Sequence, residues 1–467
     1  MSSHAFPSGA ANLLFNKLCP EILGEIFQAC IATSGERSGP SLSSAPINIS
    51  QVCRRWRQVA LSTPRLWSSF SLLHRRYIEN DSSDDYHCIK RTIPVIKNWI
   101  ERSSCAPLDF DIYMRLHEFM KDLAEDIESL LEILIDQRDR WRSVTIIYDF
   151  PLSRWFDVSF SDMYMLRHLQ LECCSTPDCV ARLDLTRSPK LETLFLQGNF
   201  KMIGSGNIPS LANVHLAPNT GVPSLSAFPT LQDCFDILRR APSLQIFDAS
   251  CEGSSDEDFF EHIQMNNLHG FHLRLGSTHV VSKNQLSSFF EHLTVPSLKS
   301  LHVSCHSLID YSPINANLLG LITRSQAPIS TLILDTPAVR EEQLISLLRL
   351  LPGLKTLQLG GMRTLDKVFS NLTLAAANEI EDDICPQLER IHIKDIDNMS
   401  LSGLSDCVVS RWRGPTKSKE GHGVFKRSLR EVAILNCTPS DETPGIFRDL
   451  KVEGLILELR LKPYVYV

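Results

Sequence analysis

One apolar pattern recurs along the last two thirds of the chain: a leucine or equivalent, two variable residues, an apolar residue, one variable residue and another apolar residue. It reads WRSVTI at 141, LRHLQL at 166, LETLFL at 191, LANVHL at 211, LQIFDA at 244, LHGFHL at 268, LKSLHV at 298, ISTLIL at 329, LKTLQL at 354, LERIHI at 388 and LREVAI at 429. Alternation in its second half puts two apolar side chains on one face of a short strand and the residue between them on the other. Copies start 20 to 41 residues apart, an irregular repeat that predicts stacked units sharing one continuous core. The amphipathic segments LQDCFDILRR (231–240), NQLSSFFEHL (284–293), NANLLGLITR (315–324) and REEQLISLLRLL (340–351) predict helices on the far side of that core. The lead-ins SPKL, IPSL, APSL, VPSL, LPGL and CPQL place a proline where a helix must end and an extended segment begin.

The N-terminal part is patterned differently. In LCPEILGEIFQAC, Pro20 and Glu21 suit a first helical turn, and Ile22, Leu23, Ile26, Phe27 and Cys30 fall at helical spacing. Residues 31–47 are rich in Ser, Gly, Pro and Ala and read as a connection. A second helix is expected with Ser50 as its cap, Val52, Cys53, Trp56, Val59 and Ala60 on one side, and Arg54, Arg55, Arg57 and Gln58 mostly on the other. Thr63-Pro64 then opens a third, leading into Leu66 and Trp67. Three short helices bury little surface, so the module is expected to need a partner to complete its core.

Charge and cysteine content narrow the classes. Lys and Arg number 47 against 54 Asp and Glu, a net charge of −7, which supplies no basic field for nucleic acid; the arginines near Trp56 are expected to be a solvated face or rim contacts. No apolar run reaches membrane-spanning length, and no leader pattern opens the chain. The expectation is an intracellular protein, cytoplasmic or nuclear, whose 14 scattered cysteines are buried apolar thiols. No catalytic motif of the nucleophile-elbow, phosphate-loop, zinc-helix or kinase type occurs, so neither enzymatic activity nor a cofactor or metal is expected.

Leu18, Pro20-Glu21-Ile22-Leu23, Ile26-Phe27, Val52-Cys53-Arg54, Trp56, Pro64 and Leu66-Trp67 together resemble an F-box in the variant common in fungal proteins. Cys19 stands where many members have proline, and the connection between the first two helices is longer than in compact versions. The repeat region is similar to the irregular leucine-rich repeats that follow F-boxes in that family. The resemblance implies an α/β chain with a disordered N-terminus (1–15), an F-box-like helical domain (16–72), bridging helices and a first strand (73–140), and a leucine-rich-repeat solenoid with a curved parallel sheet and outer helices (141–467). It further implies that Leu18, Pro20, Ile22, Ile26, Phe27, Val52, Cys53, Trp56, Leu66 and Trp67 dock on, or support docking on, the Skp-type adaptor of an SCF cullin-RING ubiquitin ligase. The repeats would then hold an unidentified client protein; a non-ligase interaction scaffold is the alternative.

Candidate client contacts come from the strand pattern itself. The residue between the last two apolar positions faces away from the core, and reading it off gives Gln170, Phe195, His215, Asp248, His272, His302, Ile333, Gln358, His392 and Ala433. Four of the chain's 15 histidines stand at these positions. Phe195, His215, Asp248, His272, His302 and His392 are therefore the candidate recognition strip, with His272 beside His302, Asp248 beside His272 and Phe195 beside His215. Acidic stretches at 78–85, 252–261 and 379–383 and a basic one at 413–427 read as solvated loops.

Overall fold

The computed structural model describes residues 18–32, 45–74, 82–114, 124–148, 162–173, 181–198, 200–218, 229–251, 260–276, 283–305, 313–337, 339–374, 383–413, 428–440 and 444–462. The expected disordered N-terminus and most of the four charged stretches lie outside them. The chain is α/β and divides into two compact units, Met1–Ile208 with Asn219–Ala227, and Pro209–Pro218 with Phe228–Val467. Among the described residues no helix is long and apolar enough to cross a membrane.

The first unit opens with helices Pro20–Ala32, Ile47–Gln51 and Arg54–Ser62 and the 3-10 turn Pro64–Trp67. The chain then alternates strands with the helices Ser82–Arg102 and Ala124–Asp136. The strands are β1 (Ser69–His74), β2 (Leu108–Met114), β3 (Trp141–Tyr148), β4 (His168–Cys173), β5 (Ala181–Leu183), β6 (Thr193–Gln197) and β7 (Phe200–Met202). Strands β1, β2, β3, β4 and β6 pair in that order, all parallel, and β5 pairs with β7 apart from them. Residues 69–72, read from the sequence as the end of the helical domain, form β1 and join the sheet. Buried Arg140 ties the unit's helices to its sheet by donating to the Ala106 carbonyl, Ser103 Oγ and Gln137 Oε1.

The second unit contains β8 (Asn213–Ala217), β9 (Ile246–Cys251), β10 (Ile263–Gln264), β11 (Gly270–Leu275), β12 (Leu293–Thr294), β13 (Ser300–Cys305), β14 (Thr331–Asp335), β15 (Thr356–Gly360), β16 (Arg390–Lys394), β17 (Asp397–Met399), β18 (Glu431–Pro439) and β19 (Ile456–Leu461). Its main sheet runs β8, β9, β11, β13, β14, β15, β16, β18, β19, every pair parallel. Helices Leu231–Arg240, Lys283–Glu291, Pro313–Ser325 and Glu341–Arg349 fall where the amphipathic segments predict them. Asp366–Leu372, Leu401–Arg413 and Ile446–Val452 are further helices that the sequence reading did not mark.

The repeated pattern is what the core is made of. In LHGFHL, Leu268, Phe271 and Leu273 are fully buried, and in LKSLHV so are Leu298, Leu301 and Val303. The proline of each lead-in does more than end a helix. In APSL, VPSL, LPGL and CPQL the leucine N–H donates to the carbonyl three residues back, at Ala241, Val295, Leu351 and Cys385. Proline therefore occupies the second position of a tight turn, where its fixed φ is already correct. The short GSG at 204–206 also has a local role: a Cβ on Gly204 would lie 2.7 Å from Asp184 Oδ1, and Gly204 has φ +84°, so only glycine fits there.

Candidate functional site

Parallel pairing carries the outward residues of the second unit into rows across the strands. His215, Asp248, His272, His302, Ile333, Gln358, His392 and Ala433 stand opposite one another in strict register. Phe195, the expected neighbour of His215, belongs to the first unit, where it stands opposite Gln170. One row further along the same face lie Ser250, Arg274, Ser304, Asp335, Gly360 and Lys394. The sequence reading stopped one alternation short of this second row, which shares the face because side chains repeat every two residues.

Asp248 organises the left end of the strip. Its Oδ2 lies 3.2 Å from His215 Nδ1 and 4.0 Å from His272 Nδ1, and its Oδ1 accepts from Arg274 Nη2 at 2.5 Å. Arg274 Nε donates to Ser250 Oγ at 3.0 Å, and His272 Nε2 lies 3.3 Å from Ser300 Oγ. Burial of the Asp248 carboxyl opposes its ionisation, but the His215 and His272 imidazoles beside it and the Arg274 charge outweigh that cost and hold it well below the usual carboxylate range. The His272 and His302 rings meet edge to face with centroids 5.6 Å apart. Burial, then the neighbouring His272 and Arg274, lowers the His302 pKa to about 4, so its imidazole is neutral at pH 7.

That depression makes His302 a source of acid sensitivity. The unfolded chain takes up this proton below the ordinary value of 6.5 and the folded chain only near 4, so stability falls as pH drops between those values. Partial solvation of the ring limits the effect to about 1–2 kcal/mol. His302→Gln is expected to lose that much less stability than the wild type between pH 7 and pH 4, read by denaturant unfolding; equal losses would remove His302 as the cause.

A second ion pair lies to the right. Lys394 Nζ meets Asp335 Oδ2 at 2.5 Å across the intervening β15, where Gly360 leaves the gap. A Cβ at 360 would fall 2.5 Å from Asp335 Oδ1 and 2.9 Å from Lys394 Cε. Gly360→Ala is therefore expected to push the pair apart and cost about 1–3 kcal/mol, as overpacking does, measured as a fall in denaturation midpoint. His392, further along, pairs with Glu431 at 3.1 Å, and Arg390 approaches the same carboxylate at 3.6 Å. Among the described residues no group of three or more His, Cys, Asp or Glu side chains is placed to hold a metal ion.

The N-terminal helices form a second candidate surface, and here the structure corrects the sequence reading in several places. The expected second helix is broken: Ile47–Gln51 ends before Cys53, whose extended backbone and Sγ, accepting from the Trp56 N–H at 3.4 Å, start Arg54–Ser62 afresh. Ser50 is no cap, since it lies inside the first of these helices and its Oγ donates to the Ile47 carbonyl. Thr63 does not cap with its side chain either; its Oγ1 donates back to the Val59 carbonyl. Two of the arginines bond to backbone within the module: Arg55 donates to the Leu18 carbonyl and Arg57 Nε to the Ser50 carbonyl. Cys19, Cys30, Cys53 and Cys105 are exposed rather than buried, whereas Cys234, Cys251, Cys305, Cys385, Cys407 and Cys437 are buried as expected.

The apolar anchors divide into two sets. Leu23, Phe27, Leu66 and Trp67 are buried, with half-buried Trp56 tilted against Phe27 at 4.9 Å between ring centroids. Trp67 donates from Nε1 to the Ala60 carbonyl at 2.8 Å and meets Trp99 edge to face at 5.6 Å. Leu18 is half-buried, and Pro20 is exposed. Ile22, Ile26 and Val52 stay 48%, 36% and 60% exposed, and Leu61, which the sequence did not single out, 43%. Ile22 and Ile26, four residues apart, share one face of their helix. Large apolar side chains are seldom left out in such numbers on so small a module unless something covers them.

Compared with known families and curated proteins, the sequence matches no family model and no curated protein.

Proposed function

We propose that the chain is the substrate receptor of an SCF-type cullin-RING ubiquitin ligase. In this reading the N-terminal helices are an F-box that docks on a Skp-type adaptor, and the parallel-strand units are leucine-rich repeats that hold a client protein. The observation that carries it is the exposure of Ile22, Ile26, Val52 and Leu61 on a helical module whose own interior is already filled by Leu23, Phe27, Leu66 and Trp67. An adaptor surface would bury the first set without disturbing the second. The chain itself performs no chemistry in this role. It raises the effective concentration of client lysines near a charged conjugating enzyme by binding two partners at once. Such a receptor works in the cytoplasm or nucleus.

Co-purification of the full chain with a Skp-type adaptor tests the docking half, and a stoichiometric complex is expected. Reconstitution with cullin, RING subunit and conjugating enzyme then tests the ligase half by client-dependent ubiquitin transfer. An adaptor complex that never modifies a bound client would make the protein an interaction scaffold instead. A folded chain that ignores the adaptor would remove the F-box reading altogether.

A further inference from the structure

Strand β19 is the edge of its sheet: among the described residues it pairs with β18 alone. The Ile456 N–H donates to the Arg430 carbonyl and the Lys462 N–H to the Cys437 carbonyl. Hydrogen bonding alternates along a strand, so the backbone groups of Leu457, Leu459 and Leu461 point to the open side. Apolar surface accompanies this edge. Val452, at the end of helix Ile446–Val452, and Ile456, at the start of β19, are 84% and 63% exposed, more than any other large apolar side chain among the described residues. Leu459 and Leu461 are only half-buried, whereas Leu357 and Leu359 on the same side of the sheet in β15 are fully buried.

We propose that β19 pairs edge to edge with β19 of a second copy of this chain, antiparallel about a twofold axis at Leu459. The outward backbone groups of both strands must face each other, so the axis passes through a residue and not between two. An axis at Glu458 sets that carboxylate opposite its own copy, and one at Arg460 does the same with the guanidinium; like charges directly opposite are unfavourable. An axis nearer either end leaves half or more of the strand unpaired. At Leu459, each Glu458 stands opposite Arg460 of the other copy, in the closely spaced pairs where side chains approach most. Leu459 then meets its own copy and Leu457 meets Leu461 on the core side, while the aliphatic stem of Lys462 covers Ile456 on the other. Charges on an exposed edge commonly guard it against pairing. Glu458 and Arg460, 47% and 77% exposed and 2.7 Å apart within the strand, have opposite signs, so they repel in two registers and attract in one. The dimer is independent of the receptor reading above.

Sedimentation equilibrium of the full chain is expected to show a reversible monomer–dimer equilibrium with a dissociation constant on the order of 10 μM, as suits so short an interface. Glu458→Arg alone and Arg460→Glu alone each place like charges opposite one another on both sides of the axis, and each is expected to weaken the dimer about tenfold. An equimolar mixture of the two variants is expected to recover wild-type affinity, because each like-charged edge then faces one of opposite sign. Mixing cannot cure an effect confined to one chain. Both side chains are exposed, so the unfolding midpoints of the variants should match the wild type. A wild-type chain that stays monomeric up to about 100 μM, single variants that dimerise as the wild type does, or a mixture that fails to recover would each overturn the proposal. So would loss of the dimer on removal of residues 463–467, which would assign the contact to that segment, or growth beyond a dimer, which a closed twofold contact forbids.

Discussion

Aspartate at both Ile22 and Ile26 is expected to abolish capture of a Skp-type adaptor while leaving the chain folded. Burying one isoleucine is worth about 1.5–3 kcal/mol, and forcing a carboxylate into the same contact adds a desolvation cost. Each substitution alone should therefore weaken the complex by about tenfold or more, and the pair by at least about a hundredfold. The fold should tolerate the change because both side chains are exposed, and surface substitutions stay within about 0.5 kcal/mol. Ile22 lies in the first turn of Pro20–Ala32, where a carboxylate suits the helix dipole. Trp67→Ala would be uninformative, since Trp67 is fully buried, hydrogen-bonded to Ala60 and covered by Arg102, 4.5 Å from its ring centroid. Retained adaptor binding by the double aspartate variant, measured by titration calorimetry beside an unchanged unfolding midpoint, would remove this face as the docking surface.

Arg411→Met is expected to be the most destabilising single substitution in the second unit. Arg411 lies on helix Leu401–Arg413 and is fully buried. It donates from Nε to the Leu372 carbonyl at 2.8 Å, from Nη1 to Cys385 at 2.8 Å and from Nη2 to Ile384 at 2.7 Å. Those carbonyls end helix Asp366–Leu372 and open the turn that leads into β16, so one guanidinium ties both ends of that connection to helix Leu401–Arg413. Methionine fills the space but leaves three buried acceptors unmatched, at a cost of about 3–5 kcal/mol. For a unit of this size the melting temperature should fall by about 10 °C. A drop of only a degree or two by calorimetry would show that water replaces the guanidinium. The nearby thiols will not confuse the measurement by reacting: burial pushes Cys385 up to about 12 and Cys407 up to about 11, despite the Arg411 charge that opposes it.

Both substitutions act at places where periodicity is silent. Ile22 and Leu23 are adjacent in a helix, equally apolar and both inside the wide apolar face that the spacing implies. Helix Pro20–Ala32 packs on the Pro64–Trp67 turn, with Gly24 close to Thr63, and in that packing Leu23 is buried and Ile22 is not. Val52 is a similar case. As one member of a continuous helix it would be core, but the break at Cys53 leaves it 60% exposed. Arg411 lies on a helix that the sequence pattern does not mark, and nothing local announces three carbonyls, two of them 26 and 27 residues away in the chain.

The sequence by itself determined the α/β class, the positions of the repeated strands and the parity of every residue within them. Strand alternation is a strictly local property, so one apolar pair such as Leu301 and Val303 fixes the outward direction of His302. Only the tertiary structure decided what those outward residues do together. Pairing order and register bring Asp248 between two histidines and under Arg274, and let Lys394 reach Asp335 over a glycine. Such contacts join residues 24 to 59 positions apart, and their energies depend on distances that no local pattern encodes.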